Sequence, residues 1–253
     1  MRTAFTENQI SDIKVLVDLA EVAKIEIVLI GATALLLQFE NLARYTKDID
    51  IALALDLEDF EHFTRQLRDA AWQRDLKIKH RWRGSSATIV DLLPAGPKLR
   101  MEGRITWPAS GFSMRLAGFQ YVFREAISIG ITPDVSIRAA PPHVLALLKI
   151  LAHRENPHMR AKDLNDIQII LSRYAEKSGR LFSDEVFDAQ LPDFGLANAF
   201  LFGRDLQALG AKQEAAIVEA FLDDFGGANS DDREPTIFAQ QCAAAITGWN
   251  SRL

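Results

Sequence analysis

The sequence predicts an α/β (α+β) chain, in which a small mixed β-sheet with helices on its faces is followed by an all-α C-terminal domain. Three stretches carry that expectation. Residues 27–55 read as a short apolar strand, a glycine turn, a helix, a loop and a second strand, the alternation that builds a sheet with helical cover. Residues 76–93 read as two strands joined by Arg83-Gly84-Ser85-Ser86, a short glycine-containing connection suited to an antiparallel hairpin. Beyond Pro141-Pro142 the apolar spacing becomes helical and stays so. The boundary drawn from that change gives an α/β domain over residues 1–139 and a helical domain over residues 140–253.

The elements follow in order. Residues 7–23 place Ile10, Ile13, Leu16, Val17 and Ala20 at helical spacing. Residues 24–30 are the first strand, 32–41 a helix, and 49–55 a strand that Asp48 opens. Residues 56–72 form an amphipathic helix with Phe60, Phe63, Leu67 and Ala71 on its buried side. Two strands, 76–82 and 87–93, make the hairpin. Residues 94–114 hold three prolines and three glycines and read as irregular, with a short strand at 104–107. A short helix at 116–126 precedes strands at 127–131 and 135–139, and helices follow at 143–154, 160–177, 184–190, 197–209, 212–225 and 235–249.

Composition bounds the function. At 253 residues, with 48% hydrophobic and 25% charged side chains, the chain has the make-up of an ordinary globular protein able to bury one large or two modest cores. Cys242 is the only cysteine, which excludes an intramolecular disulfide and fits a reducing compartment. The first residues lack a signal-peptide apolar region, and the longest nearly apolar run, 27–39, is too short to span a bilayer, so a cytoplasmic protein with no membrane association is expected. A net charge of −5 argues against a uniformly nucleic-acid-coating surface. Residues 77–104 nevertheless carry seven basic side chains against Asp91 and Glu102, a band that suits an anionic ligand or a solvated hairpin face.

The chemistry centres on Asp48-Ile49-Asp50. Side chains two apart on a strand share a face, so Asp48 and Asp50 point together while Ile49 and Ile51 go to the core. Crowded carboxylates repel, and a divalent cation, Mg²⁺ (or Mn²⁺), would relieve them, since it prefers oxygen ligands and suits a phosphate-bearing substrate. The bland alternative is a pair of aspartates facing solvent. Seventeen residues upstream, Gly31 lies between strand and helix, where it would admit close backbone approach, and Thr33 could cap the helix or touch a phosphate. Asp91, in the apolar run Thr88-Ile89-Val90-Asp91-Leu92-Leu93, is the candidate third carboxylate, either binding metal or taking the acceptor's proton; otherwise it is a strand-end residue paired with a basic neighbour. The five histidines show no zinc spacing, Cys242 reads as buried, and Trp82 reads as core in preference to a base-stacking residue.

Gly31-Ala32-Thr33-Ala34-Leu35 followed by Arg44-x-Thr46-x-Asp48-Ile49-Asp50 resembles the first motif of the polymerase-β-like nucleotidyltransferase superfamily, in its AbiEii-type branch of type IV toxin–antitoxin toxins. Lys149 in an apolar helix, then Lys162-Asp163-Leu164-Asn165-Asp166, resembles that branch's later motifs. The resemblance covers roughly residues 27–170. It implies a metal-dependent nucleotidyltransferase moving an NMP from an NTP to an RNA, tRNA included, or to a protein, with a cognate antitoxin as partner. It further implies Asp48, Asp50 and Asp91 as catalytic metal ligands. Gly31, Ala32, Thr33, Arg44, Lys149, Lys162, Asp163 and Asp166 would serve the nucleotide, with the site in a cleft between the domains. Ala32 departs from the family's usual Gly or Ser. Plainer roles compete: Lys149 snorkelling, Lys162–Asp166 as an i,i+4 pair, and Arg44 organising its loop. The rival functions are nucleotidyl transfer to a small molecule such as an aminoglycoside, and nucleotide or partner binding with weak catalysis.

Overall fold

The computed structural model describes residues 5–40, 42, 46, 48–108, 110–227 and 235–251. The chain divides into two compact units, Met1–Pro141 and Pro142–Leu253. The first runs α1 (Glu7–Ala23), β1 (Ile27–Ile30), α2 (Gly31–Gln38), β2 (Asp48–Leu53), α3 (Leu57–Asp69), β3 (Gln73–Arg74), β4 (Arg81–Arg83), β5 (Ile89–Pro94), α4 (Pro97–Glu102), β6 (Arg104–Thr106), β7 (Ser113–Arg115), α5 (Phe119–Glu125), β8 (Ile127–Thr132) and β9 (Val135–Ala139).

Seven of these strands form one mixed sheet in the order β3-β4-β5-β2-β1-β9-β8; β6 and β7 pair separately. β2 runs antiparallel to β1 and parallel to β5, and β4 returns antiparallel on the far side of β5. The central strands are apolar because both faces are covered: all four residues of β1 are buried, as are Ile49 and Ile51 of β2 and Val90 and Leu92 of β5. Helix α1 opens on a capping box, with Thr6 accepting from the Gln9 backbone and the Gln9 side chain accepting from the Thr6 backbone.

Three expectations need correction. Residues 76–80 do not extend a strand, because the Asp75 carboxylate accepts from the backbone N–H groups of Lys77 and Ile78 and closes a turn. Residues 97–102 are helical where irregular chain was expected: Pro97 sits at a first-turn position, and the Asp56 carboxylate accepts from the Leu99 and Lys98 backbones. Helix α3 stops at Asp69, before the expected 72. Ala71 lies in the left-handed region at φ +65°, with Trp72 N–H donating to Leu67 O, and is exposed instead of buried.

The second unit contains α6 (Pro142–Glu155), α7 (Ala161–Arg173), α8 (Asp184–Phe187), α9 (Ala197–Ala208), α10 (Ala215–Gly226) and α11 (Ile237–Asn250), with two short 3₁₀ turns. Helices α9 and α11 meet backbone to backbone: a Cβ on Gly203 would stand 1.9 Å from Ala245 O, and one on Gly248 2.0 Å from Phe200 O. Cys242 is fully buried on α11, and burial pushes its thiol pKa up to about 12. No described helix is long and apolar enough to cross a membrane.

Candidate active site

The register of β2 and β5 builds the site. Asp50 is paired with Asp91 across the parallel ladder, and Asp48 lies two residues before Asp50 on the same face. Ile49 and Ile51 are fully buried on the opposite face. Asp48, Asp50 and Asp91 therefore lie on one face of two adjacent strands.

Gly31 is the reason Asp50 fits. It opens α2 at φ +69°, and a Cβ there would lie 2.1 Å from Asp50 Oδ2. The close approach that this glycine permits is therefore made by the Asp50 carboxylate. Thr33, two residues further on, is buried, and its hydroxyl donates to the Asp48 carbonyl at 3.1 Å. It does not cap α2, whose N-cap Ile30 has no side-chain bond. The Thr46 hydroxyl lies 2.9 Å from Asp48 Oδ1 and 3.2 Å from the Asp48 carbonyl. Two threonines thus orient Asp48. Ala32 is buried beside them, and Arg44 lies outside the described residues.

Arg81 is the residue that sequence reasoning did not single out. It stands directly opposite Asp91 across β4 and β5. Its Nε donates to Asp91 Oδ1 at 2.8 Å and its Nη2 to Asp91 Oδ2 at 2.7 Å; Nη2 also reaches Asp48 Oδ2 at 3.1 Å. This fork is the strong, charge-assisted arrangement of guanidinium and carboxylate. The hydrogen bond to Asp91, with the charges of Asp91, Asp48 and Asp50, raises the Arg81 pKa further above its already high value. Neighbouring His80 is shifted the other way, its pKa lowered chiefly by burial and secondarily raised by Asp91. Trp82, between β4's two arginines, is fully buried and unavailable for base stacking.

Among the described residues no group of three or more His, Cys, Asp or Glu side chains is arranged to hold a metal ion. The donor chemistry does suit a hard divalent cation: three carboxylates against one guanidinium leave a formal charge of −2, with all-oxygen ligands.

The second unit brings another predicted set together. Lys149 on α6 lies 3.0 Å from Asp163 Oδ1 and 2.5 Å from Asp166 Oδ2 on α7, with all three side chains at most 11% exposed. Asp166 pairs with Lys149 instead of forming the suggested i,i+4 pair with Lys162, which is exposed. Elsewhere in this unit Tyr174 donates to Asp205, which also receives Arg180; burial, then Asp205, raises the Tyr174 pKa.

A mixed sheet thus presents paired aspartates after a strand–glycine–helix unit. Residues 14–240 match the family described as "Nucleotidyl transferase AbiEii toxin, Type IV TA system", and the chain belongs to that family. Among solved structures it is similar to an antigenic nucleotidyltransferase-like protein from Paracoccidioides brasiliensis (15% identity, 84% of this chain and 92% of that one, TM-score 0.46). It is also similar to the antibiotic-resistance factor ANT(2'')-Ia (12%, 68% and 88%, TM-score 0.46) and to a putative nucleotidyltransferase from Helicobacter pylori (16%, 97% and 93%, TM-score 0.37). No curated protein sequence matches the chain.

Proposed function

We propose that this chain transfers a nucleoside monophosphate from an NTP to a hydroxyl of an RNA or protein acceptor, as the toxin of a type IV toxin–antitoxin pair. The observation that carries the reading is the placement of Asp48, Asp50 and Asp91 on one face of two hydrogen-bonded strands, in a chain of the AbiEii family. The acceptor oxygen attacks the α-phosphorus, the bond from that phosphorus to the bridging oxygen of the β-phosphate breaks, and pyrophosphate leaves with the bond's electron pair. The acceptor's proton passes to a carboxylate, for which Asp91 is the candidate in place of metal binding, or to water. Asp48 and Asp50 would hold Mg²⁺ or Mn²⁺, with Asp91 as third ligand where it does not take the proton; when bound, the ion would neutralise charge on the triphosphate and lower the acceptor's pKa. Thr46 holds the Asp48 carboxylate, Thr33 holds the Asp48 backbone carbonyl, and Gly31 leaves Asp50 its room. Roles for Arg44, Lys149, Lys162, Asp163 and Asp166 toward the nucleotide rest on the family motif. A cognate antitoxin follows from the same membership.

The test is label transfer from each of the four α-labelled NTPs, with Mg²⁺, total RNA and a protein extract. The Asp48→Asn, Asp50→Asn double variant is run alongside. Label should enter RNA or protein with the native chain and fall by at least about a thousandfold in the variant, the scale of removing the charge-stabilising centre of a phosphoryl-transfer site. Equal labelling by both proteins would overturn the assignment of these aspartates. No labelling at all would overturn an RNA or protein acceptor.

A further inference from the structure

The Arg81 guanidinium lies among the carboxylates assigned above to a divalent ion. We infer that Arg81 is their built-in counter-cation, and that it makes the site select a cation carried on a polyphosphate over a free cation. The inference rests on the metal-site reading under Proposed function.

The two limbs of Arg81 are unequal. The fork to Asp91 is short, at 2.7 and 2.8 Å, and the Asp91 side chain is only 9% exposed. The limb to Asp48 is longer, at 3.1 Å, and ends on a side chain that is 39% exposed. Water screens the second contact more than the first, so Asp48 is the point of release. A bare divalent ion arriving at Asp48 and Asp50 must displace the Nη2 contact and sit beside a fixed positive charge. An ion arriving with a polyphosphate brings acceptor oxygens that replace Asp48 as partner for Nη2, and the guanidinium's charge then favours loading. Arg81 keeps its hold on Asp91 throughout, which makes it a positioning residue for that carboxylate.

The prediction is a crossed effect. Protein-bound Mn²⁺ is followed by equilibrium dialysis, with and without inorganic tripolyphosphate on both sides of the membrane, for the native chain, Arg81→Met, Arg81→Lys and Asp50→Asn. The native chain should bind Mn²⁺ weakly alone and more tightly with tripolyphosphate. Arg81→Met should bind Mn²⁺ alone about tenfold more tightly, the order expected from removing one nearby charge at a half-exposed site, and should lose most of the gain from tripolyphosphate. Arg81→Lys, which keeps the charge but not the fork, should fall between. Thermal melting gives a second readout that also reports folding: Mn²⁺ should raise the melting temperature of Arg81→Met more than that of the native chain. Equal or weaker Mn²⁺ binding by Arg81→Met, in a variant that melts cooperatively, overturns the inference while leaving the metal site standing. If the native chain binds no more Mn²⁺ than Asp50→Asn in either condition, the metal-site reading falls as well.

Discussion

At the scale of single residues, the site is a matter of fitting charge into little space. Asp50 occupies the volume that a side chain at position 31 would need, and Gly31 also holds a backbone conformation that other residues adopt only with strain. Gly31→Ala therefore carries two penalties, strain of about 1–2 kcal/mol and displacement of the carboxylate. We expect a stability loss of about 2 kcal/mol in denaturant titration and loss of nucleotidyl transfer by at least about a hundredfold, since a 1 Å misplacement can have that effect. Native activity in this variant would show that the Asp50 position is not tied to Gly31. Asp48, Asp50 and Gly31 were legible because the signal is local, a two-residue strand period and a glycine between a strand and a helix. Arg81 was not, because its meaning lies in a cross-strand partner ten residues away. Once the Gly84 N–H bond to Thr88 O fixes the hairpin register, Arg81 falls opposite Asp91 by counting two positions back from Arg83 and two forward from Ile89.

At the scale of elements, α1 steadies the hairpin that delivers Arg81 and Asp91. Asp12 is fully buried on α1, and its carboxylate accepts from Ser85 Oγ at 3.1 Å, Ser86 N at 2.9 Å and Thr88 N at 3.1 Å. The sequence spacing marked neighbouring Ile13 and Leu16 as core and gave no hint that an aspartate beside them is buried too, since its partners lie more than seventy residues away. Asp12→Ala would leave two backbone N–H groups of the turn without an acceptor, at about 1–3 kcal/mol each. The expected loss is about 3 kcal/mol by urea unfolding, with Asp12→Asn losing less because one acceptor oxygen survives. A loss below about 1 kcal/mol for the alanine variant would mean that water satisfies the turn and α1 does not brace it. The misread segments share this cause: residues 76–80 and 97–102 were decided by carboxylates, Asp75 and Asp56, capping backbone N–H groups, which outweighed strand-like or loop-like composition.

At the scale of the whole molecule, the depressed pKa values of His80 and Glu185 shape how the fold answers acid. His80 carries a lowered pKa because burial disfavours its imidazolium, and Nδ1 is buried with no hydrogen-bond partner among the described residues. The charged groups acting on it are Asp91, which opposes the shift, and Arg81, which adds to it. Glu185 in the helical unit is lowered chiefly by its hydrogen bond from Arg180. For both groups the unfolded chain binds the proton first, so stability is greatest above the unfolded values and declines as pH falls. The His80 contribution begins to be lost as pH drops through 6.5, the ordinary value, and the Glu185 contribution only below 4.5. Melting temperature should therefore fall in two stages between pH 8 and pH 3. His80→Gln, which removes the first titration, should flatten the stage between about pH 7 and pH 5 and leave the acid stage intact, because Glu185 is lowered by Arg180, Arg204 and Ser183 and not by His80. A profile for His80→Gln that runs parallel to the native one across the upper stage would show that the buried imidazole next to Arg81 and Asp91 does not govern acid sensitivity there.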